Sequence, residues 1–305
     1  MTAPVLQTEG LSMVFPAQNA HGGHKALDAV DLTLHPGRAL ALVGESGSGK
    51  STCAKLLTHM LRPTSGRILF QNRDVTGLSG RRALLDYRRV VQMVFQDPFA
   101  ALNPAHTVAH HLARPLALHR PDLDRAGRDA EARALLTQVE LDAEALLHRF
   151  PHELSGGQRQ RVNLARALAV NPAVIIADEP TSMLDVSIRL SVLDTLQRLK
   201  AERGIALLYI THDIATARYV AEETAVLFRG RVVESGPTGA VIDSPRHPYT
   251  RLLLSAVPDA GRPFDTGGSL IGRADAVRRL SEGPGNLVYV GPGHKARTVD
   301  ERVAA

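Results

Sequence analysis

The feature that most constrains this chain is a short apolar run, Leu40-Ala41-Leu42-Val43, that ends directly on Gly44-Glu45-Ser46-Gly47-Ser48-Gly49-Lys50-Ser51. The glycine-rich octet fits the G-x-x-x-x-G-K-S pattern. Residues 52–61, starting at Thr52, have helix composition and stop before Pro63. Strand, loop and helix in that order form a phosphate cradle. Glycines let the backbone curl until successive N–H groups face an anion, and the helix amino terminus adds a favourable dipole. Lys50 is expected to reach the β- and γ-phosphates of a nucleotide, and Ser51 to place its hydroxyl on Mg²⁺.

The rest of the chain suits an α/β sheet around that unit. Val174-Ile175-Ile176-Ala177 and residues 205–210 are apolar or β-branched runs bounded by polar residues, as buried parallel strands often are. Between them Val186, Leu190, Leu193, Leu196 and Leu199 recur at helical spacing and predict one apolar face. Residues 128–139 are rich in Ala, Leu, Arg and Glu without Gly or Pro, so the charged middle of the chain reads as helical. Strands alternating with amphipathic helices imply a mostly parallel sheet covered on both faces, with a helical insertion at about 97–160. After Val257 the pattern weakens: Gly261, Pro263, Gly267, Gly268, Gly283, Pro284 and Gly285 are expected to break up any regular element.

Composition excludes several function classes. The longest apolar runs fall far short of the roughly 18 residues of a membrane-spanning helix, so a membrane role needs a partner. The first ten residues carry neither a basic start nor an apolar block, and a cytoplasmic location is expected. Cys53 is the only cysteine, which excludes an internal disulfide and a cysteine-clustered metal site. It is expected to pack as a small hydrophobe. The net charge of +5 comes from scattered basic residues, and with aromatics at 4% and no Trp there is no stacking platform for single-stranded nucleic acid.

A second chemical element follows the strand at 174–177. Asp178 and Glu179 end it, which projects two carboxylates toward the edge of a parallel sheet where the loop at 44–51 also lies. Asp178 is expected to hold Mg²⁺, directly or through water, and Glu179 to polarise the water that attacks the γ-phosphate.

Leu154-Ser155-Gly156-Gly157-Gln158, taken with those two motifs, resembles the signature sequence of the ABC ATPases. It reads as a second anion cradle, with the Ser155 hydroxyl, the Gly156 and Gly157 N–H groups and a helix starting nearby. The plain alternative is a helix cap by Ser155, which by itself accounts for neither the glycine pair nor Gln158. By the same resemblance Gln96 is the loop glutamine that senses Mg²⁺ and abuts a transmembrane partner. Asp185 lies in the loop across a dimer interface, His212 is the switch histidine at the γ-phosphate, and Phe15 is a candidate ring for stacking on adenine. The resemblance covers roughly residues 5–258 and is nearest the ATPases of oligopeptide and dipeptide importers, a group that includes nickel and oligosaccharide systems. Val94-Phe95-Gln96-Asp97-Pro98-Phe99-Ala100-Ala101-Leu102-Asn103-Pro104 and His247-Pro248-Tyr249-Thr250-Arg251-Leu252-Leu253 carry it. Many such relatives have a cysteine cluster beyond the last segment. This chain has none, so a tail-bound iron–sulfur cluster is excluded and the role of residues 259–305 stays open.

The resemblance implies a P-loop NTPase core with an N-terminal antiparallel β region and an inserted helical subdomain, in an ATPase domain spanning 1–258. ATP with Mg²⁺ lies between two ATPase subunits, held by residues 44–51 of one and 155–158 of the other. The implied partners are transmembrane permease subunits at the cytoplasmic face of the membrane, a second ATPase chain related to this one but different, and indirectly an extracellular solute-binding protein. A soluble ABC ATPase acting on nucleic acid or ribosomes is the alternative. Such proteins resemble tandem ATPase chains or carry long coiled-coil or zinc-bearing inserts, which this chain lacks. A nucleotide-binding regulator without turnover is disfavoured by the presence of both Glu179 and His212.

Overall fold

The computed structural model describes residues 3–16, 23–257, 269–283 and 285–299. Strands β1 (Leu6–Phe15) and β2 (His24–Leu34) pair antiparallel, and β3 (Ala39–Val43) then runs into the loop and α1 (Lys50–Leu57). Next come β4 (Ser65–Phe70), β5 (Arg73–Asp74), α2 (Arg81–Val90) and β6 (Val91–Val94). The helical region holds α3 (Pro98–Ala101), α4 (Val108–His119), α5 (Arg125–Gln138), α6 (Ala143–Leu146) and α7 (Gly156–Leu168). The chain continues through β7 (Val174–Asp178), α8 (Val186–Arg203), β8 (Ala206–Thr211), α9 (Ile214–Val220), β9 (Glu223–Phe228) and β10 (Arg231–Pro237). Helices α10 (Thr238–Asp243), α11 (Pro248–Ser255) and α12 (Ser269–Ser281) precede a final hairpin, β11 (Leu287–Gly291) with β12 (His294–Arg297).

Two sheets form. The smaller is antiparallel, in the order β2-β1-β4-β5, and is the expected N-terminal β region. The larger runs β11-β12-β10-β9-β3-β8-β7-β6. In it β9, β3, β8, β7 and β6 are parallel, while β10, β12 and β11 add antiparallel strands at one edge. The two-residue period of a strand divides β3 between two cores. Ala39, Ala41 and Val43 face the core built with the helical region and α8, whereas Leu40 and Leu42 face the core shared with α1 and the antiparallel sheet. Cys53 lies fully buried in that second core, where burial pushes its thiol up to about 12.

Several boundaries differ from the sequence expectation. Helix α1 starts at Lys50 and ends at Leu57, well short of Pro63, because His59 takes φ +52° and the Met60 and Leu61 N–H groups both return to Lys55 O. On α8, Leu193, Leu196 and Leu199 are buried as the spacing predicts, but Leu190 is 50% exposed and Val192 takes the inner position instead. The Val186 side chain lies outside the described residues, as do Gly261, Pro263, Gly267, Gly268 and Pro284. Regular structure does return beyond Val257, as α12 and the β11–β12 hairpin. No helix among the described residues is long and apolar enough to cross a membrane.

The C-terminal hairpin is locked to the sheet by a buried pair. His294 on β12 places Nε2 2.7 Å from Oε1 of Glu234 on β10, a carboxylate with no exposed surface. The Arg246 and His247 N–H groups donate to the same carboxylate at 2.8 and 2.9 Å. Removing the ring leaves a buried carboxylate short of a partner and opens a void, losses worth about 3 kcal/mol. His294→Ala is therefore expected to lower the free energy of unfolding by that amount, read as a lower urea midpoint at an unchanged slope, whereas Lys295→Ala on the same strand leaves the midpoint in place.

Candidate nucleotide site

Parallel register decides which residues meet. Val43 on β3 is level with Thr211 on β8, Asp178 on β7 with Ile210, and Val94 on β6 with Ala177. The residues that leave these strands at their carboxyl ends, Gly44, Gln96, Glu179 and His212, therefore emerge along one edge of the sheet.

The loop at 44–51 is shaped by close backbone approach. A Cβ on Gly44 would lie 2.2 Å from Leu227 O, and one on Gly49, at φ +109°, would lie 2.4 Å from Ala26 O, so neither position accepts a side chain. Lys50 is only 5% exposed, and its Nζ donates to Gly44 O at 2.7 Å and Glu45 O at 2.9 Å, bracing the loop from inside. Burial lowers its proton affinity, while the nearby Glu179, Asp178 and Glu45 carboxylates act in the opposite sense.

Asp178 is buried behind the loop, and that burial raises its carboxyl above the usual range. A hydrogen bond with Ser51 works against the rise, and the Glu179 charge adds to it. Asp178 Oδ1 and Ser48 Oγ are buried and have no hydrogen-bond partner among the described residues. An unpartnered carboxylate oxygen beside the Ser51 hydroxyl is an all-oxygen donor set of the kind a hard divalent cation takes, so these residues fit Mg²⁺.

Glu179 is the meeting point. Gln96 Nε2 donates to Glu179 Oε2 at 3.0 Å, and His212 Nδ1 lies 3.1 Å from the same oxygen. Glu179 holds φ +45°, an uncommon conformation for a residue with a side chain, with its N–H donating to Ile210 O at 2.9 Å. Ser182 Oγ lies 3.5 Å from Gln96 Nε2. A cavity of about 980 Å³ opens over this edge. Glu45, Ser46, Gly47, Gly49, Lys50, Ser51, Thr52, Gln96, Glu179 and His212 all line it, and so does Phe15. The sequence reading missed Leu253, Ala256 and Val257, which form an apolar wall at the end of α11, and His24 and Ala26 from β2. Being apolar or singly placed, they carry no local chemical signal.

Ser155, Gly156, Gly157, Gln158 and Asp185 are not among the residues lining this cavity. Ser155 caps α7: its Oγ accepts from the Gln158 N–H at 3.3 Å, and Gln158 Oε1 accepts from the Ser155 N–H at 2.9 Å. This reciprocal capping box accounts for Gln158, which simple capping by Ser155 does not. Gly157 is needed for packing as well, since a Cβ there would lie 2.5 Å from Ile188 Cγ2. Gly156 meets only Leu184 Cδ2, at 3.4 Å. Asp185 sits exposed at the start of α8 without capping it.

Comparison with known proteins gives the family. The family model described as "ABC transporter" matches residues 27–182, and "Oligopeptide/dipeptide transporter, C-terminal region" matches 233–285. The chain is 42% identical over 258 residues to the oligopeptide transport ATP-binding protein OppF of Bacillus subtilis, covering 85% of this chain and 84% of that protein. It is 42% identical over 308 residues to the glutathione import ATP-binding protein GsiA of Escherichia coli, where it covers 95% of itself and spans about half, 48%, of that longer protein. Among solved structures, the dimeric post-hydrolysis state of the ATP-binding cassette MJ0796 bound to ADP and Pi superposes with a TM-score of 0.69 at 29% identity, covering 76% of this chain and 98% of that one. With the loop at 44–51, the acids at 178 and 179 and the capped glycines at 156 and 157 set on this fold, the chain belongs to the ABC transporter family, in the branch that carries the oligopeptide/dipeptide C-terminal region.

Proposed function

We propose that this protein is the ATP-hydrolysing subunit of a membrane ABC importer for a small solute, with oligopeptides or dipeptides the favoured cargo. The observation that carries the reading is the convergence of Gln96 and His212 on one oxygen of Glu179, at the rim of the cavity lined by the phosphate loop. The names of the relatives supply the cargo class: OppF is an oligopeptide transport protein and GsiA a glutathione import protein.

In this reading the N–H groups of residues 44–51 and the Lys50 ammonium receive the phosphates, and Phe15, which lines the same cavity, offers a ring to adenine. Ser51, Asp178 and Gln96 would hold Mg²⁺, which would supply charge neutralisation for the phosphates when bound. Glu179 orients and deprotonates the attacking water, and His212 and Gln96 fix the carboxylate at the right place. The products are ADP and phosphate.

Residues 155–158 and Asp185 lie off the cavity of their own chain, which supports a site completed by a second ATPase subunit. The MJ0796 cassette is itself dimeric. Two chains, this one and a related one, then close on ATP and reopen after hydrolysis, because nucleotide prefers the closed pair. Closure pulls on permease subunits that hold the protein at the cytoplasmic face of the membrane, with an extracellular solute-binding protein delivering cargo to them. Ser155→Arg tests this arrangement. The isolated subunit is expected to bind ATP as before, while phosphate release by the assembled transporter falls about a hundredfold or more, the scale of losing transition-state donors. Loss of ATP binding by the isolated variant would overturn the shared-site arrangement.

A further inference from the structure

Glu45 is a carboxylate placed inside a loop that gathers N–H donors for phosphate, where an uncompensated negative charge opposes the ligand. Its backbone groups and one carboxylate oxygen are nevertheless engaged. Its N–H donates to Tyr249 Oη at 3.0 Å, its carbonyl accepts from Lys50 Nζ at 2.9 Å, and its Oε1 lies 2.9 Å from Arg278 Nη2. Arg278 belongs to α12, 233 positions along the chain. Its other terminal nitrogen pairs with Asp275 at 3.2 Å, so the guanidinium is aimed by its own helix. A second pair, Arg229 with Glu282 at 2.6 Å, ties the end of α12 to the turn between β9 and β10. Tyr249 is likewise fixed, fully buried against Phe228.

We propose that Arg278 is a positioning residue for nucleotide. From the C-terminal helix it neutralises Glu45 and holds the phosphate loop in its receptive shape, so that the segment beyond Val257 sets the affinity of a site more than two hundred residues away. This rests on the reading of residues 44–51 as the ATP site. Two effects combine. A glycine-rich loop held before the ligand arrives loses less freedom on binding. A carboxylate paired with a guanidinium also repels the phosphates less than a bare one. Both partners are 38% exposed at the side chain, so solvent screens the pair and the effect is moderate.

The test is titration calorimetry of the full chain with Mg-ATP and Mg-ADP in a double-mutant cycle. Arg278→Ala is expected to weaken Mg-ATP binding about two- to fivefold at low salt, from the usual worth of an exposed pair. Mg-ADP, with less charge, is expected to be affected less, and the ATP difference to shrink at high salt. Arg278→Lys retains the charge and should keep most of the affinity, which also guards against a disturbed α12. In a Glu45→Gln background the carboxylate is gone, and Arg278→Ala should then cost little. An unchanged Mg-ATP affinity in Arg278→Ala, or the same loss in both backgrounds, would overturn the proposal while leaving the ATP site in place. Failure of the unaltered chain to bind Mg-ATP would instead remove the reading on which it rests.

Discussion

Lys50→Ala is expected to weaken Mg-ATP binding by about thirtyfold to several thousandfold, the range for truncating one partner of a buried charge pair, about 2–5 kcal/mol. Lys50 is buried, and three carboxylates lie near enough to stabilise its charge: Glu179, Asp178 and Glu45. Alanine leaves those acids facing the incoming phosphates without a cation. The same change removes the donor that spans Gly44 O and Glu45 O, so the loop loses its internal brace along with its charge. Lys50→Met separates the two losses from simple cavity formation, since it keeps the apolar stem. Titration calorimetry beside a thermal melt reads the outcome. Undiminished affinity in a folded Lys50→Ala variant would remove the phosphate-cradle assignment of residues 44–51.

The parts of this site that were legible in the sequence are those where chemistry sits next to a strand end. The runs at 40–43, 174–177 and 205–210 are β3, β7 and β8, and a parallel register carries Gly44, Glu179 and His212 to one edge without further information. Gln96 leaves β6 at the same edge, but that strand is not assigned from the sequence, and Gln96 enters through the family resemblance alone. Contacts between distant segments were not legible. Tyr249 reaches the Glu45 N–H across 204 positions and Arg278 its carboxylate across 233, and neither leaves any periodic trace in the chain. The β11–β12 hairpin was obscured differently. Val288, Tyr289 and Val290 have strand composition, but Gly283 and Gly285 just before them read as breakers of any regular element, and the turn that joins the two strands lies further on, at Pro292 and Gly293. Leu190 follows the helical period of α8 yet faces solvent, because Val192 and Leu193 already fill the inner side.

Glu179→Gln separates chemistry from binding. The substitution keeps the shape of the side chain and its strained backbone, and an amide oxygen can still accept from Gln96 Nε2, which now donates to Glu179 Oε2 at 3.0 Å. What is lost is the negative charge that, in the proposed mechanism, orients and deprotonates water. General-base contributions run at about 10²–10⁴-fold, so turnover is expected to fall by at least about a hundredfold. Lys50, Ser51 and Asp178 are untouched, and Mg-ATP affinity should survive or rise slightly as one carboxylate near the phosphates is neutralised. Uncleaved ATP then favours the closed pair, because a ligand stabilises the state that binds it better. The variant is expected to accumulate as an ATP-dependent dimer of ATPase subunits, visible by size-exclusion chromatography with light scattering, or as a closed transporter by cryo-electron microscopy. Near-normal phosphate release by Glu179→Gln would refute the role of Glu179 as base. Lost turnover without ATP-dependent closure would keep the base and overturn the clamp, because the chemistry at Glu179 would then be uncoupled from the meeting of residues 155–158 with the partner's phosphate loop.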